Sequence, residues 1–224
     1  MCRSRLINRI VTKGNTPQSG SNVHGKATTN GTTGSQQKVY VDTFTINVFF
    51  DGTKNNLYNI EHRKKNPQMY KGKETASSYE SYFNDHSNVS YLYQARKQVT
   101  NVGWAYIEGI GTGADDINVL ERRNRYLKMR GKPLEERKYY EDSTKGFAFG
   151  SGPTGIVTRV QQSFERIQSM VSSDLGDRIP TILVLNVFGF SRGAAAARHF
   201  VHKVKTEPKG FIGWNLTRER IIVN

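Results

Sequence analysis

Two segments of the chain end in almost unbroken apolar sequence. The first runs from Val39 to Phe50, ends in Ile46-Asn47-Val48-Phe49-Phe50, and stops at Asp51-Gly52. The second runs from Ile179 to Phe188 through Ile182-Leu183-Val184-Leu185-Asn186-Val187-Phe188. Runs rich in β-branched and aromatic residues, with little polar alternation, predict strands buried on both faces. Trp104-Ala105-Tyr106-Ile107 predicts a third, shorter strand. It leads into Glu108-Gly109-Ile110-Gly111-Thr112-Gly113, a glycine-rich turn. Ile221-Ile222-Val223 predicts the opening of a fourth.

Helical periodicity is clearest over 156–171, where Ile156, Val160, Phe164 and Ile167 recur every three or four positions and Val157 and Val171 widen the stripe. Pro153 or Thr154 starts this helix and the polar segment Ser172 to Arg178 ends it. A second helix is predicted from Ala194 to Lys205, opened by four alanines, the best helix formers. A third is predicted from Val89 to Val99, with Val89, Leu92, Tyr93 and Ala95 on one face. Residues 52–87 read as polar loop, and 121–138, with eight Lys/Arg against three Glu, as a solvated insertion. Strands buried on both faces alternating with helices predict an α/β fold: a mostly parallel sheet with helices on each side.

Residues 11–37 hold Gly, Asn, Thr, Ser and Gln with almost no large apolar side chains, so 1–37 is expected to be a disordered leader and 38–224 the folded domain. Lys and Arg number 33 against 19 Asp and Glu, a formal balance of +14. That excess favours polyanionic partners such as anionic lipid headgroups, nucleic acid or an acidic protein. The single cysteine, Cys2, excludes an internal disulfide and a cysteine-based zinc site, which fits a protein made in the cytoplasm. The basic start, Met1 to Ile10, lacks the apolar core of a secretory signal. No apolar run approaches the ~18 residues of a membrane span.

The chemistry concentrates in Gly189-Phe190-Ser191-Arg192-Gly193. G-x-S-x-G alone is a weak signal, but here an apolar strand leads in and an Ala-rich helix leads out, as a nucleophile elbow requires. Ser191 is then the nucleophile. Gly189 and Gly193 allow close packing around it, and the Arg192 N–H sits at the helix start where an oxyanion would develop. The alternative is a tight turn whose serine merely caps the helix. A second oxyanion donor is expected after the first strand, from the N–H of Gly52 or Thr53, with Asp51 orienting that loop. Gly150-Ser151-Gly152-Pro153-Thr154-Gly155 matches G-x-G-x-x-G. It lacks the preceding full strand and the later acidic residue of a dinucleotide site. Hydrolases with this elbow run Ser, then Asp or Glu, then His. After Ser191 there is no Asp, and the carboxylates are Glu207 and Glu219. His199 lies about 12 Å along the helix from Ser191, at 1.5 Å per residue. His199 and His202 therefore read as helix-surface or packing residues, and His24, His62 and His86 as members of polar, mobile segments. The triad is incomplete in this chain.

Three segments together resemble the first class of type VI secretion phospholipase effectors: Phe49-Phe50-Asp51-Gly52-Thr53-Lys54-Asn55-Asn56, Glu108 to Gly113, and Val187 to Ala194 with Ala197-Arg198. They fall in the family's order between about 39 and 224. The resemblance implies an α/β-hydrolase fold, here C-terminally incomplete, and a Ser-Asp-His triad of which only Ser191 carries over. It implies hydrolysis of ester bonds in bacterial membrane phospholipids, without metal or organic cofactor and with no role for nucleic acid. It further implies synthesis in a bacterial cytoplasm, delivery into rival cells on a secretion spike protein without a signal peptide, and an immunity protein as partner. Family members continue into a strand ending in an Asp-Thr-Val-like segment, which Ile221-Ile222-Val223 would open, and then a later His. Residues 62–87 and 114–145 correspond to variable insertions. The competing reading is a basic module without catalysis, attaching to a polyanion or docking to the secretion apparatus.

Overall fold

The structure is a computed structural model that describes residues 40–113, 117–143, 152–175, 178–207 and 220–224. The leader expected over 1–37 lies outside the described residues, as do His24, Gly150, Ser151 and Glu219. Four strands form one all-parallel sheet: β1 (Tyr40–Phe50), β2 (Val102–Ile107), β3 (Ile179–Gly189) and β4 (Ile221–Val223), in the order β2-β1-β3-β4. Phe50 sits level with Ile107 on one side and Gly189 on the other, so β1, β2 and β3 end together.

Period-two alternation sorts the apolar side chains onto two faces. On the first face Phe44, Ile46, Val48, Phe50, Leu183 and Leu185 pack beneath two helices, α5 (Ile156–Leu175) and α6 (Arg192–Thr206). Helix α5 supplies Val160, Ile167, Val171 and Leu175, and α6 supplies Ala196, Ala197, Phe200 and Val204. On the second face Phe49 and Tyr106 are covered by Leu57 of α1 (Leu57–Lys65) and by Val89 and Tyr93 of α3 (Asn88–Gln94). The molecule is thus an α/β structure, with a parallel sheet and helices on both faces.

Several elements depart from the sequence expectation. Residues 52–87 are not loop: they hold α1, two short 3-10 turns (Pro67–Tyr70 and Ser77–Tyr79) and α2 (Glu80–Phe83). Helix α1 carries little apolar sequence because polar contacts fix it. The Asn56 side chain caps it by accepting from the N–H groups of Tyr58 (3.0 Å) and Asn59 (3.3 Å). Helix α3 stops at Gln94, and Leu92 is exposed while Val89 and Tyr93, one turn apart, pack inward. Helix α5 runs on through Ser172 and Asp174 because Leu175 completes its buried stripe; Val157, expected in that stripe, is exposed. Strand β3 is not buried on both faces. Helices α1 and α3 follow β1 and cover β1 and β2, so Ile182, Phe188 and Ile222 remain exposed on the second face.

A ladder of amides crosses that second face. Asn224 Nδ2 donates to Asn186 Oδ1 (2.9 Å), Asn186 Nδ2 to Asn47 Oδ1 (3.0 Å), and Asn47 Nδ2 to the Gly103 carbonyl (3.4 Å). Each link spans neighbouring strands. It explains Asn47 within the apolar run 46–50 and Asn186 within 182–188, since a one-residue slip would break the chain of donors and acceptors.

The insertion after β2 forms α4 (Ile117–Met129), followed by a return segment that lies along it. Asn124 clamps the two by accepting from the Glu135 N–H and donating to the Glu135 carbonyl, both at 2.8 Å. No described helix is long and apolar enough to cross a membrane.

Candidate active site

The strand order places a crevice at one end of the sheet. The chain leaves β1 towards the second face and leaves β3 towards the first, so the two connections diverge beyond the carboxyl ends of β1 and β3. Such a switch point is where open α/β sheets bind ligands. The residues there are Asp51-Gly52-Thr53 after β1 and Phe190-Ser191-Arg192 after β3.

Ser191 has φ 53° and ψ −128°, a conformation that L-residues avoid. Holding a non-glycine residue in such a sparsely populated region costs about 1–3 kcal/mol. The turn is fixed by three backbone bonds: Phe190 N–H to Phe50 C=O (3.2 Å), Gly193 N–H to Phe190 C=O (2.8 Å) and Ala194 N–H to Ser191 C=O (3.0 Å). Ser191 occupies the N-cap position of α6, yet its side chain caps nothing, and among the described residues no group hydrogen-bonds its hydroxyl. The residue is exposed. Gly193 is buried against the preceding loop: a Cβ there would lie 2.2 Å from the Asp51 carbonyl oxygen. The small alanines that follow let α6 begin directly on the sheet, with Ala196 and Ala197 buried.

The loop after β1 is held by its own carboxylate. Asp51 is buried and accepts from Gly52 N–H (2.7 Å), Ser87 Oγ (2.6 Å) and Tyr106 Oη (2.5 Å). Burial raises the Asp51 carboxyl, against the pull of those three hydrogen bonds. Because Asp51 occupies the Gly52 amide, the next amide of the loop, Thr53 N–H, is the one that has no acceptor among the described residues. Gly52 lies under the exposed ring of Phe190, where a Cβ would come within 2.5 Å of Cδ1.

The glycine-rich turn after β2 packs backbone to backbone on this loop. Gly109 N–H donates to Asn55 C=O (2.8 Å) and Lys54 N–H to Ile110 C=O (3.0 Å), and a Cβ on Gly109 would overlap the Gly52 carbonyl. Below it lies a group that sequence reasoning passed over. Glu108 is buried; Nη2 of Arg166 donates to both of its carboxylate oxygens (2.6 and 2.7 Å), with Arg137 at 2.8 Å and Arg159 at 3.9 Å. Burial alone would raise this carboxyl, but Arg166, Arg137 and Arg159 outweigh it and hold it down at about 2. Arg166 also reaches the Tyr106 carbonyl. The signal was present as Arg159 and Arg166 on α5, seven positions apart and therefore on one helical face.

None of the described histidines adjoins Ser191. His62 and His86, expected in mobile segments, are held in place. His62 stacks on Tyr139 (ring centroids 3.7 Å apart) and its Nδ1 meets Tyr70 Oη at 2.5 Å. His86 Nε2 lies 3.2 Å from Glu61 Oε1. His199 is half-buried and His202 exposed on α6. Of the G-x-G-x-x-G segment, Gly152–Thr154 forms a 3-10 turn leading into α5.

Among solved structures the chain is similar to one described as the Tle1 effector bound to the VgrG spike from the type 6 secretion system. The likeness is 26% identity over 77% of this chain and 32% of that one, with a TM-score of 0.41. The chain thus spans about a third of that protein's length. No protein-family model and no curated protein matches it.

Proposed function

We propose that this chain carries the nucleophile segment of a serine hydrolase that cleaves carboxylic esters, with Ser191 as the attacking group. The observation that carries the reading is the conformation of Ser191 together with its idle hydroxyl. A serine kept for capping would bond the helix amides; Ser191 instead sits at φ 53° and ψ −128° with its side chain in solvent. Strain at an exposed nucleophilic residue at the switch point of a parallel sheet is the mark of a nucleophile elbow.

In this reading Ser191 Oγ attacks the ester carbonyl carbon. The carbonyl oxygen becomes the oxyanion and is met by the Arg192 N–H at the start of α6 and by the Thr53 N–H, with Asp51 holding the loop that presents Thr53. Gly52 serves by leaving room for Phe190. As the ester C–O bond breaks, the alkoxide leaving group takes the proton that Ser191 Oγ gave to the base; water then attacks the acyl carbon, returning the hydroxyl to Ser191 and releasing the carboxylic acid. A histidine base and an acidic partner are required for these proton transfers, and neither is assigned to a described residue.

The substrate proposed is membrane phospholipid, and the role proposed is that of an antibacterial type VI effector delivered on a spike protein and countered by an immunity protein. Two features support a lipid ester. Phe190 and, at the end of β3, Phe188 expose aromatic surface just before Ser191, and the chain carries a basic excess suited to anionic headgroups. The test is release of fatty acid from phosphatidylglycerol and phosphatidylethanolamine vesicles by the protein from its complete reading frame. Release that disappears in Ser191→Ala supports the reading. Equal release by the variant, or none by the unaltered protein, removes it.

A further inference from the structure

Helix α4 and its return segment form an arm that carries both apolar and basic side chains on its exposed surface. An isolated helix of thirteen residues is marginal in water and ordinarily owes its stability to an apolar face packed on the core. Here the link to α5 is polar: Arg122 pairs with Glu165 at 3.2 Å, and the groove between the helices is lined by Arg122, Arg125, Glu165, Gln168, Ser169 and Ser173. The base of the arm is pinned by Arg137, which enters the Glu108 cluster. Leu120, Asn124 and Leu127 are half-buried, and Asn124 faces the return segment.

Large apolar side chains are left on the outside. Met129 is 86% exposed, Leu134 59%, Tyr126 52% and Val119 42%. Val119, Tyr126 and Met129 fall seven and then three positions apart, on one side of the helix. The arm's charged side chains are Arg122, Arg123, Arg125, Lys128, Arg130 and Lys132 against Glu121, Glu135 and Glu136; Arg122 and Arg125 line the α5 groove, and Arg123 pairs with Glu135 at 2.7 Å. All nine charged residues are exposed. The Arg130 guanidinium lies 4.6 Å from the centre of the Tyr126 ring, so cationic and apolar groups share one surface.

We propose that this arm, residues 117–136, is a docking element for an anionic phospholipid bilayer, lying in the interface with Val119, Tyr126, Met129 and Leu134 among the acyl chains and the basic groups on headgroup phosphates. The mixture of groups selects this partner. Nucleic acid needs the basic side chains for its phosphates and gains nothing from Met129 and Leu134. A bilayer interface takes both, because the apolar groups leave water while cations neutralise the surface charge. Docking stands apart from catalysis and does not require Ser191 to be the nucleophile.

The experiment is sedimentation of the full chain, in its Ser191→Ala form so that vesicles stay intact, with vesicles of equal parts phosphatidylglycerol and phosphatidylcholine and with phosphatidylcholine alone. The chain is expected to sediment with the anionic vesicles and far less with the neutral ones. Replacing Lys128, Arg130 or Lys132 by Gln should weaken binding about five-fold per residue at low salt. Met129→Ser with Leu134→Ser, which leaves the charge unchanged, should abolish most of it, with an unchanged melting temperature showing that the exposed positions do not disturb the fold. The proposal is overturned if the unaltered chain stays in the supernatant. It is equally overturned if the double Ser variant binds like the unaltered chain while the Gln variants weaken, because the arm would then be a general polyanion contact.

Discussion

Glu108 shows how a single residue can organise the ground beneath a site without touching it. Three guanidinium groups converge on its carboxylate, and the glycine turn it begins supports the loop of Asp51 to Asn55. Replacing it with Gln leaves buried arginines without their counter-charge, so Glu108→Gln should cost about 3–5 kcal/mol in chemical denaturation. Acid should act in the same direction. Its folded value of about 2 lies below the ordinary 4.5. The stability it confers is therefore complete above pH 4.5 and is lost as pH falls from there towards 2, a decrease of about 3 kcal/mol. Asp51, raised by burial, has the opposite sign. It favours the folded state more as it protonates, so it opposes the acid loss and cannot be its source. A denaturation series across this window in the unaltered protein and in Glu108→Gln separates the two, because the Glu108-linked slope should vanish in the variant.

At the scale of elements, what was legible from sequence was what period and apolar runs encode. Strands β1 and β3, helices α5 and α6, and the parallel α/β class all follow from those runs. Helix α1 was illegible because polar bonds fix it rather than an apolar stripe. Asn56 caps its start and also donates to Thr112 Oγ1 at 3.2 Å, and Tyr106 Oη accepts from the Leu57 N–H at 2.9 Å. Asn56→Ala should therefore destabilise by about 1–2 kcal/mol, measured by thermal or chemical unfolding. Loss of less than a few tenths would mean that the cap is incidental. The bare face of β3 was misjudged for a related reason. An apolar run reports that side chains avoid water, but not which neighbouring strand the next helices will cover. At the site, sequence named Ser191 and the Gly52-Thr53 loop as candidates. It did not reveal that Asp51 occupies the Gly52 amide, because that depends on Ser87 and Tyr106, residues distant in sequence that only the fold assembles around it.

For the molecule as a whole, the order β2-β1-β3-β4 explains why three separated motifs matter together. Divergence of the chain on either side of β1 and β3 opens one crevice, and the Asp51 loop, the glycine turn and the serine turn meet at that end of the sheet. The central claim is that the strained residue at this meeting point is a reactive nucleophile. Incubating the protein from its complete reading frame with a fluorophosphonate, and locating the adduct by peptide mass spectrometry, tests that claim directly. The account predicts one adduct, on the peptide containing Ser191, and none in Ser191→Ala. An adduct on another serine that persists in the variant, or no adduct on the folded protein, would contradict it.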